Sequence, residues 1–333
     1  MASIVVGDAV SVSQEQGTAR ARAVSAIQRQ GALIALVALV IFGVVRYGSS
    51  FYSVYNIFDA FLNNNTYYAL IALGMTFVII SGGIDLSVGS IVALSGVALG
   101  AMLQGGQPIP IAIAGSVAVG VLCGFVNGLL ISIGRLPAFI ATLGMMSVAR
   151  GAALLFTEGR PVSGFDESFR WIATGSAAFI PAPVVAMIVI YAVAHLVLTR
   201  TTFGRYVYAI GGNEEATRLS GVSIPFHKTA IYCVSGLMSA AAAIVLTARL
   251  NSAQPIAGMM YELDAIAATV IGGTSLMGGE GSLGGTLVGA LIMGVLRNGL
   301  NLLGVSSFLQ QIVIGGVIVG AVLVDTILKR SRA

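Results

Sequence analysis

LSVGSIVALSGVALGAMLQGGQPIPIAIAGSVAVGVLCGFVNGLLISIG, residues 86–134, contains no charged side chain. The stretches 171–199 and 298–324 are also free of charge, and each is longer than the ~20 apolar residues that a membrane-spanning helix needs. Only 9% of the chain is charged and 57% is hydrophobic, whereas roughly 25% of the residues of a soluble domain are charged. The sequence therefore predicts an all-α, polytopic integral membrane protein.

The hydrophobic segments predict about ten transmembrane helices. We allow eight to ten, because the first, eighth and ninth segments are short or interrupted by glycine and could enter the membrane without crossing it. The predicted spans are 31–46, 66–82, 86–103, 111–133, 138–157, 183–199, 229–248, 262–277, 283–303 and 308–328. An even number of spans places both termini on the same side of the membrane, and the mixed-charge segment 158–182 is predicted to be an external loop.

The basic residues concentrate in three segments, which are expected to face the cytoplasm because Lys and Arg collect on that side of membrane proteins. We therefore predict a cytoplasmic tail (1–30) with Arg20, Arg22 and Arg29, a transmembrane domain (31–328) and a cytoplasmic tail (329–333). The domain includes a cytoplasmic loop, residues 200–228. This distribution accounts for the basic pI of about 9.2 without nucleic acid as a partner, and membrane lipid is the expected surrounding.

The longest polar interruption of the apolar sequence is RTTFGRYVYAIGGNEEATRLSGVSIPF, residues 200–226. Glycine and proline residues bracket a short amphipathic piece, 213–220. Asn213 suits the N-cap of a helix here, and Glu214 and Glu215 in its first turn would interact favourably with the helix dipole. The piece is either a short helix lying across a membrane face or an ordinary loop between spans.

Three acidic residues lie at predicted starts of spans. Asp85, in SGGIDLSVG, is predicted to cap the third span by accepting hydrogen bonds from free backbone N–H groups; the alternative is that it lines a sugar or ion path. Glu262 and Asp264 open the eighth span, where negative charge complements the helix dipole. Arg249 or Asn251 could pair with either carboxylate across the preceding turn.

Three asparagines also lie within predicted spans. Asn127 is predicted to hydrogen-bond to a neighbouring helix. Asn298 and Asn301 would bind hydroxyl groups if they face a partner subunit or a wet cavity, and would contact water if they lie at the membrane interface. Together with the three acidic residues, these asparagines form our candidate set of translocation-path or helix-cap residues.

Two glycine-rich segments resemble each other: ISGGIDLSVGSI at 80–91 and IGGTSLMGGEGSL at 271–283. Each joins two hydrophobic segments. Broken, glycine-rich segments in the two halves of a transport protein tend to lie near the solute path. The alternative is that their small residues serve only close helix packing.

Residue types for catalysis or metal binding are scarce. The chain has two histidines and two cysteines, and no arrangement that would support nucleophilic catalysis or a metal site. We therefore predict no enzyme activity and no cofactor. The only lysines, Lys228 and Lys329, do not belong to a phosphate-binding G-x-x-x-x-G-K-[ST] loop, so any ATP hydrolysis must come from another chain.

Several long stretches resemble the permease subunits of ribose-type sugar ABC importers, the bacterial binding-protein-dependent inner-membrane components. They are ALGMTFVIISGGIDLSVGSIVALSG (72–96), PAFIATLGMM (137–146), GRYVYAIGGNEEATRLSGV (204–222), ARLNSAQPIAGMMYELDAIAATVIGGTSL (248–276) and GLNLLGVSS (299–307). The likeness extends from about residue 50 to 328. It is weakest in the first 30 residues and in 158–182.

The resemblance implies a homodimeric permease in the inner membrane, a cytoplasmic ABC ATPase that binds the ATP, and a periplasmic sugar-binding protein that delivers ribose or a related monosaccharide. It also implies a role for the polar loop. Permeases of this kind dock on the ATPase through a cytoplasmic E-A-A-x-x-x-G loop, and residues 215–221 match it except that Thr217 replaces the second alanine. The ATPase-coupling residues implied are Asn213, Glu214, Glu215, Ala216, Arg218 and Gly221.

Two other classes stay open at this point. A self-sufficient secondary sugar transporter or channel would use Asp85 and the broken helices for a coupling ion or a pore. An integral-membrane enzyme is the third hypothesis, and the shortage of acids, bases and metal ligands within the spans argues against it.

Overall fold

Helices occupy most of the chain in a computed structural model that describes residues 31–177 and 180–330. The predicted N-terminal tail lies outside the described residues, and so do the last three residues of the predicted C-terminal tail. That tail was predicted to begin at residue 329, but the last helix continues to Arg330.

Fourteen α-helices are described. They are α1 (Gly31–Tyr47, the described part), α2 (Ser49–Tyr52), α3 (Asn64–Ile80), α4 (Val88–Gln104), α5 (Ile109–Ser132), α6 (Ala138–Thr157), α7 (Glu167–Thr174), α8 (Ala182–Arg200), α9 (Thr202–Gly212), α10 (Glu214–Leu219), α11 (Ile224–Leu250), α12 (Tyr261–Ile271), α13 (Leu283–Leu302) and α14 (Ser307–Arg330). A π-helix, Asn56–Asn63, precedes α3.

Four strands of two residues each complete the described elements. They are β1 (Val162–Ser163), β2 (Ser176–Ala177), β3 (Ile180–Pro181) and β4 (Ser252–Ala253). The first and last pair antiparallel, and the middle two form a hairpin. The strands β1, β2 and β3 lie with α7 in the segment 158–182 that was predicted as an external loop, and β4 pairs with it from the turn after α11.

The prediction of an all-α chain with several membrane-spanning helices is confirmed. Five helices within the described residues are long and apolar enough to cross a membrane: α5, α6, α8, α11 and α13. Each lies close to a predicted span, because continuous apolar sequence forms helix wherever backbone hydrogen bonds cannot be made to water.

The eighth predicted span, 262–277, is shorter than predicted. Helix α12 has 11 residues, which corresponds to about 16 Å of helix at 1.5 Å per residue, about half of a bilayer core. It ends at Gly272, and Gly273 has a φ of +89° that favours glycine and terminates the helix. The rest of the predicted span, 272–277, forms turns and irregular chain.

Helices α3 and α11 form the centre of the molecule. Nearly every residue of α3 is buried, as expected for a helix that is apolar on all faces. Over the 18 most apolar consecutive residues of each helix, 61% of the residues of α11 are buried, compared with 28% in α5, α6 and α8. Helices α5, α6 and α8 therefore have faces that other described parts of this chain do not cover.

Small residues set the distance between α5 and α11. A Cβ atom at Gly124 would overlap the carbonyl group of Tyr232, and one at Gly120 would overlap the carbonyl of Gly236. Gly128 continues the same face one turn later, against Thr229. This four-residue spacing is the small-residue pattern that lets membrane helices approach closely.

Candidate functional site

The polar loop folds into two short helices, α9 and α10, that follow α8 directly. The Asn213 side chain accepts a hydrogen bond from the backbone N–H of Ala216 at 2.9 Å, so the predicted N-cap is confirmed. The helix was predicted over 213–220 and is observed over Glu214–Leu219. The chain then turns at Gly221, whose φ of +85° is accessible to glycine at little cost.

Helix α10 exposes its charged residues. Arg218 pairs with Glu215 at 2.5 Å, and Lys228 pairs with Glu214 at 2.6 Å. The hydrogen bond from Arg218 holds the pKa of the Glu215 carboxyl below its ordinary value, so this group keeps its negative charge to lower pH than a free glutamate. The exposed face of α10 thus carries charge in a fixed geometry.

Thr217 points away from that exposed face. It is 7% exposed, and its hydroxyl donates to the Asn213 carbonyl at 2.7 Å. This is the position at which the chain departs from the E-A-A-x-x-x-G pattern. The departure therefore leaves the exposed surface of α10 unchanged.

The end of α9 meets both glycine-rich segments at a contact that we call the glycine junction, formed by Gly82, Gly211, Gly278 and Gly279. The N–H of Gly279 donates to the carbonyl of Ile80 at 2.8 Å, which joins the two segments. A Cβ atom at Gly211 would overlap that same carbonyl and would lie 2.6 Å from the Gly279 nitrogen. The two segments that resemble each other in sequence therefore touch each other, next to the start of α10.

Asp85 is completely buried between α3 and α4. One carboxylate oxygen accepts from the backbone N–H of Ser87 at 3.0 Å and from its hydroxyl at 2.5 Å, and the other accepts from the Ser235 hydroxyl at 2.7 Å. The prediction of a helix cap is correct only in part, since Ser87 is the N-cap residue of α4 and Asp85 binds the N–H of that residue. The same carboxylate also connects the start of α4 to α11.

Asn127 extends this buried polar group to α5. Its Nδ2 atom donates to the Ser87 hydroxyl oxygen at 2.9 Å, so the predicted hydrogen bond to a neighbouring helix is made at the N-cap of α4. Among the described residues, the Oδ1 atom of Asn127 and the hydroxyl of Tyr232 are buried without a partner.

The sequence had suggested that Arg249 or Asn251 pairs with Asp264, but neither residue does so. The Asp264 carboxylate accepts from Arg297 on α13 at 2.5 Å. Asn251 instead accepts from the backbone N–H of Phe165 at 2.9 Å. The prediction was wrong because the packing of α12 on α13 brings Arg297, which is distant in sequence, closer than the neighbours across the turn.

Glu262 and Asp264 both occupy the first turn of α12, as predicted, and the Glu262 carboxylate hydrogen-bonds to the backbone of Met260 and of Glu262 itself. Glu262 packs against Gly89 of α4, where its Oε2 atom lies 2.8 Å from the place a Cβ would occupy. The favourable interaction of these carboxylates with the helix dipole stays a prediction.

A cluster of three tyrosines adjoins the Asp264–Arg297 pair. The ring centroids of Tyr67 and Tyr68 are 4.5 Å apart, and those of Tyr68 and Tyr261 are 4.7 Å apart. The Arg297 guanidinium lies 4.8 Å from the Tyr68 centroid, within the range of a cation–π interaction. This cluster was not predicted from the sequence, in which the adjacent pair Tyr67-Tyr68 at a helix start is the available signal.

Asn298 lies in neither of its predicted environments. It forms two reciprocal amide hydrogen bonds with Asn56 of the π-helix, of 3.1 and 2.9 Å, and both residues are buried. Asn301 is exposed and accepts from Gln310 at 2.8 Å. Asn298 therefore holds α13 to the segment before α3, and its amide groups already have partners within the chain.

In the parts of the chain that the structure describes, no group of three or more His, Cys, Asp or Glu side chains converges on a metal site. The candidate residues instead form separate regions: the exposed α10, the buried group around Asp85, and the pair of Asp264 with Arg297.

Comparisons with known proteins add a family. Residues 57–322 match the family model described as branched-chain amino acid transport system / permease component. The ribose import permease protein RbsC of Haemophilus influenzae is 47% identical over 301 residues, which cover 89% of this chain and 92% of that protein. RbsC of Bacillus subtilis is 49% identical over 258 residues, covering 77% and 80% of the two chains.

A relative named for another sugar also matches. The D-allose transport system permease protein AlsC of Escherichia coli is 39% identical over 262 residues, covering 78% of this chain and 80% of that protein. The comparison with solved structures found no match.

Proposed function

This chain belongs to the family of branched-chain amino acid transport system permease components, and we propose that it is the membrane-spanning subunit of an ATP-driven importer for ribose or a related monosaccharide. The observation that carries the proposal is the 47–49% identity with two ribose import permeases over most of the chain. The identity with the D-allose permease is lower, at 39%. These similarities favour ribose as the first sugar to test.

We propose ten membrane segments: α1, α3, α4, α5, α6, α8, α11, α12, α13 and α14. Six of them precede the loop 200–228, so the N-terminus and this loop share the cytoplasmic side. Four crossings follow the loop, one of them made by the short α12 together with the irregular chain next to it, so the C-terminus returns to that side. The proposal keeps the tails 1–30 and 329–333 in the cytoplasm, with the permease domain at 31–328. In this arrangement the glycine junction lies on the cytoplasmic side.

Helix α10 is the proposed contact with a cytoplasmic ABC ATPase. Its exposed residues Glu214, Glu215, Ala216 and Arg218 form the docking face, while Asn213 and Gly221 fix the start and end of the helix. Charged groups held in a defined geometry favour specific docking, since their potential can complement that of a partner surface. The chain itself would bind no ATP and no other cofactor.

The proposed mechanism is alternating access in a homodimer of this chain. ATP closes the paired domains of the ATPase, the docked α10 helices move with them, and the pore opens outward to receive sugar from a periplasmic binding protein. Hydrolysis returns the pore to the inward-facing state. Lipid would cover the outward faces of α5, α6 and α8 that the rest of the chain leaves free.

Co-purification tests the docking face. We expect the wild-type chain, extracted from its native membrane in mild detergent, to retain an ATPase subunit, and we expect Glu215→Lys to lose it. The variant reverses a charge on an exposed side chain, so folding and abundance should be unchanged. Glu167→Lys, an exposed glutamate in the first turn of α7, is the matched control and should retain the ATPase.

Two results would contradict this function. Retention of the ATPase by Glu215→Lys would remove α10 as the docking element. Sugar transport by the purified chain alone, reconstituted without an ATPase, would replace the importer subunit with a secondary transporter.

A further inference from the structure

A polar cavity lies at the end of α11 that is remote from α10. Its volume is about 400 Å³, within the range of small-molecule binding sites. The lining includes Asp59 and Asn63 of the π-helix and Arg249 in the last turn of α11. The remaining walls come from the end of α7 and the β2–β3 hairpin.

The length of α11 fixes the side of the membrane on which the cavity lies. With 27 residues, α11 is about 40 Å long at 1.5 Å per residue, enough to cross a bilayer. Its first turn contacts α10 through the Lys228–Glu214 ion pair. Arg249 is at the opposite end, so the cavity faces the side opposite to α10, from which an imported solute arrives.

Two polar atoms of the lining residues lack partners. Among the described residues, Asn63 Oδ1 and Arg249 Nη1 are buried and accept or donate no hydrogen bond. Asn63 is only 5% exposed, and its Nδ2 atom is already used by Asp59 Oδ1 and the Ala173 carbonyl, each at 3.2 Å. Because buried polar groups nearly always have a partner in proteins, these two atoms beside the cavity have unused hydrogen-bonding capacity, which a bound molecule could satisfy after a small adjustment of the two side chains.

The charged residues of the cavity also have hydrogen-bonding groups that a ligand can use. Asp59 and Arg249 line the same space, yet no ion pair within 4.0 Å joins them in the part of the chain that the structure describes. A sugar hydroxyl can donate to a carboxylate and accept from a guanidinium, so one polyol can use both groups at once. The lining is more polar than apolar, which favours a polyol over a ligand with a branched aliphatic side chain.

We propose that this cavity binds one monosaccharide molecule as it enters the permease, with Asp59, Asn63 and Arg249 as its hydrogen-bonding residues. The inference rests on the proposed function, because it takes the imported solute to be a sugar. It adds a sugar site to the permease chain itself.

The single tryptophan of the chain provides the test. The Trp171 ring packs on Gly175, a residue of the cavity lining; a Cβ at Gly175 would lie 2.5 Å from the ring. We would titrate D-ribose into the purified full-length chain in lipid nanodiscs and follow Trp171 fluorescence. A saturable change is expected, with a half-saturation concentration at least about tenfold higher in Asp59→Asn and Arg249→Gln.

Asp59 is exposed at the cavity mouth, so Asp59→Asn tests the proposal even if Arg249→Gln folds poorly. Arg160→Gln, an exposed arginine outside the cavity, should titrate like the wild type. The proposal is overturned by a flat titration of the wild-type chain, by unchanged titration of the folded variants, or by an equal response to L-leucine.

An uptake assay separates this inference from the proposed function. If the chain imports ribose together with its ATPase and binding protein, and Asp59→Asn and Arg249→Gln leave the KM for uptake unchanged, the cavity proposal fails while the proposed function stands. If the wild-type assembly imports no monosaccharide, the proposed function itself fails.

Discussion

A buried ion pair responds differently from an exposed one when one partner is removed. The Asp264 side chain is 7% exposed and that of Arg297 is 28% exposed, whereas Glu215 and Arg218 are 66% and 61% exposed. Removing Arg297 would leave a buried carboxylate without its cation, a change that costs on the order of 3–5 kcal/mol in proteins. Removing Arg218 leaves a carboxylate that water solvates well.

We therefore expect Arg297→Gln to lower the thermal unfolding temperature of the purified chain strongly and Arg218→Gln to leave it nearly unchanged. The measurement is thermal unfolding in one detergent at one pH. The double variant with Asp264→Asn should recover part of the loss, since it removes the unpaired charge. Equal effects of the two arginine variants would show that the Asp264–Arg297 pair contributes no more than a surface pair.

Residue pairing is the part of the site that the sequence could not predict. Asp264 was placed correctly at the start of its helix, but its partner Arg297 is 33 positions away. Asn56 and Asn298 are 242 positions apart and pair only because the π-helix packs on α13. Local patterns give the position of a polar side chain along its helix, and the partner depends on how the helices pack.

At the scale of the element, α9 lies between α10 and the two glycine-rich segments and contacts both segments at the glycine junction. Gly211 is packed against backbone atoms at the glycine junction, while a Cβ at the neighbouring Gly212 would meet no atom within 4 Å. The two adjacent positions therefore form a matched pair for mutation.

Gly211→Ala is expected to reduce ATP-dependent uptake at least about tenfold, because the added methyl group must push α9 away from Ile80. Gly212→Ala should transport like the wild type. Uptake into proteoliposomes, normalised to the amount of folded permease, is the measurement. Wild-type uptake by Gly211→Ala would show that the close contact is not required for coupling.

The elements themselves were predicted well where a local signal exists. Asn213, the two glutamates that follow it and Gly221 marked the start and end of α10, and apolar runs marked the long helices. The glycine interruption of the eighth segment was recognised, but its end was placed at 277 and not at Ile271, because Leu276 and Met277 keep the hydropathy high beyond Gly272 and Gly273.

At the scale of the whole molecule, the proposed topology predicts which positions water-soluble reagents reach. In a chain with Cys123→Ala and Cys233→Ala, we expect Ser220→Cys, beside α10, to react with a membrane-impermeant maleimide only in inverted vesicles. Ser168→Cys, on α7, should react only from the outside of intact cells. Labelling of both positions from the same side would contradict the proposed orientation of α8, the only span between them.

The class of polytopic membrane protein could be predicted from the composition and the charge-free runs, since a soluble fold does not bury so large a share of apolar residues. The polar cavity did not follow, because Asp59, Asn63 and Arg249 are isolated polar residues in the sequence. Only the folded chain shows that the π-helix and the end of α11 line the same cavity.

The glycine junction also has a mechanical consequence. Atoms of the main chain have no rotamers, so a displacement of α9 cannot be absorbed by a reorienting side chain at this contact. The displacement must either move the chain at Ile80 and Gly279 or bend α9 itself. A contact between main-chain atoms therefore deforms little. This property suits a transporter in which each hydrolysed nucleotide should drive the complete conformational change and not part of it.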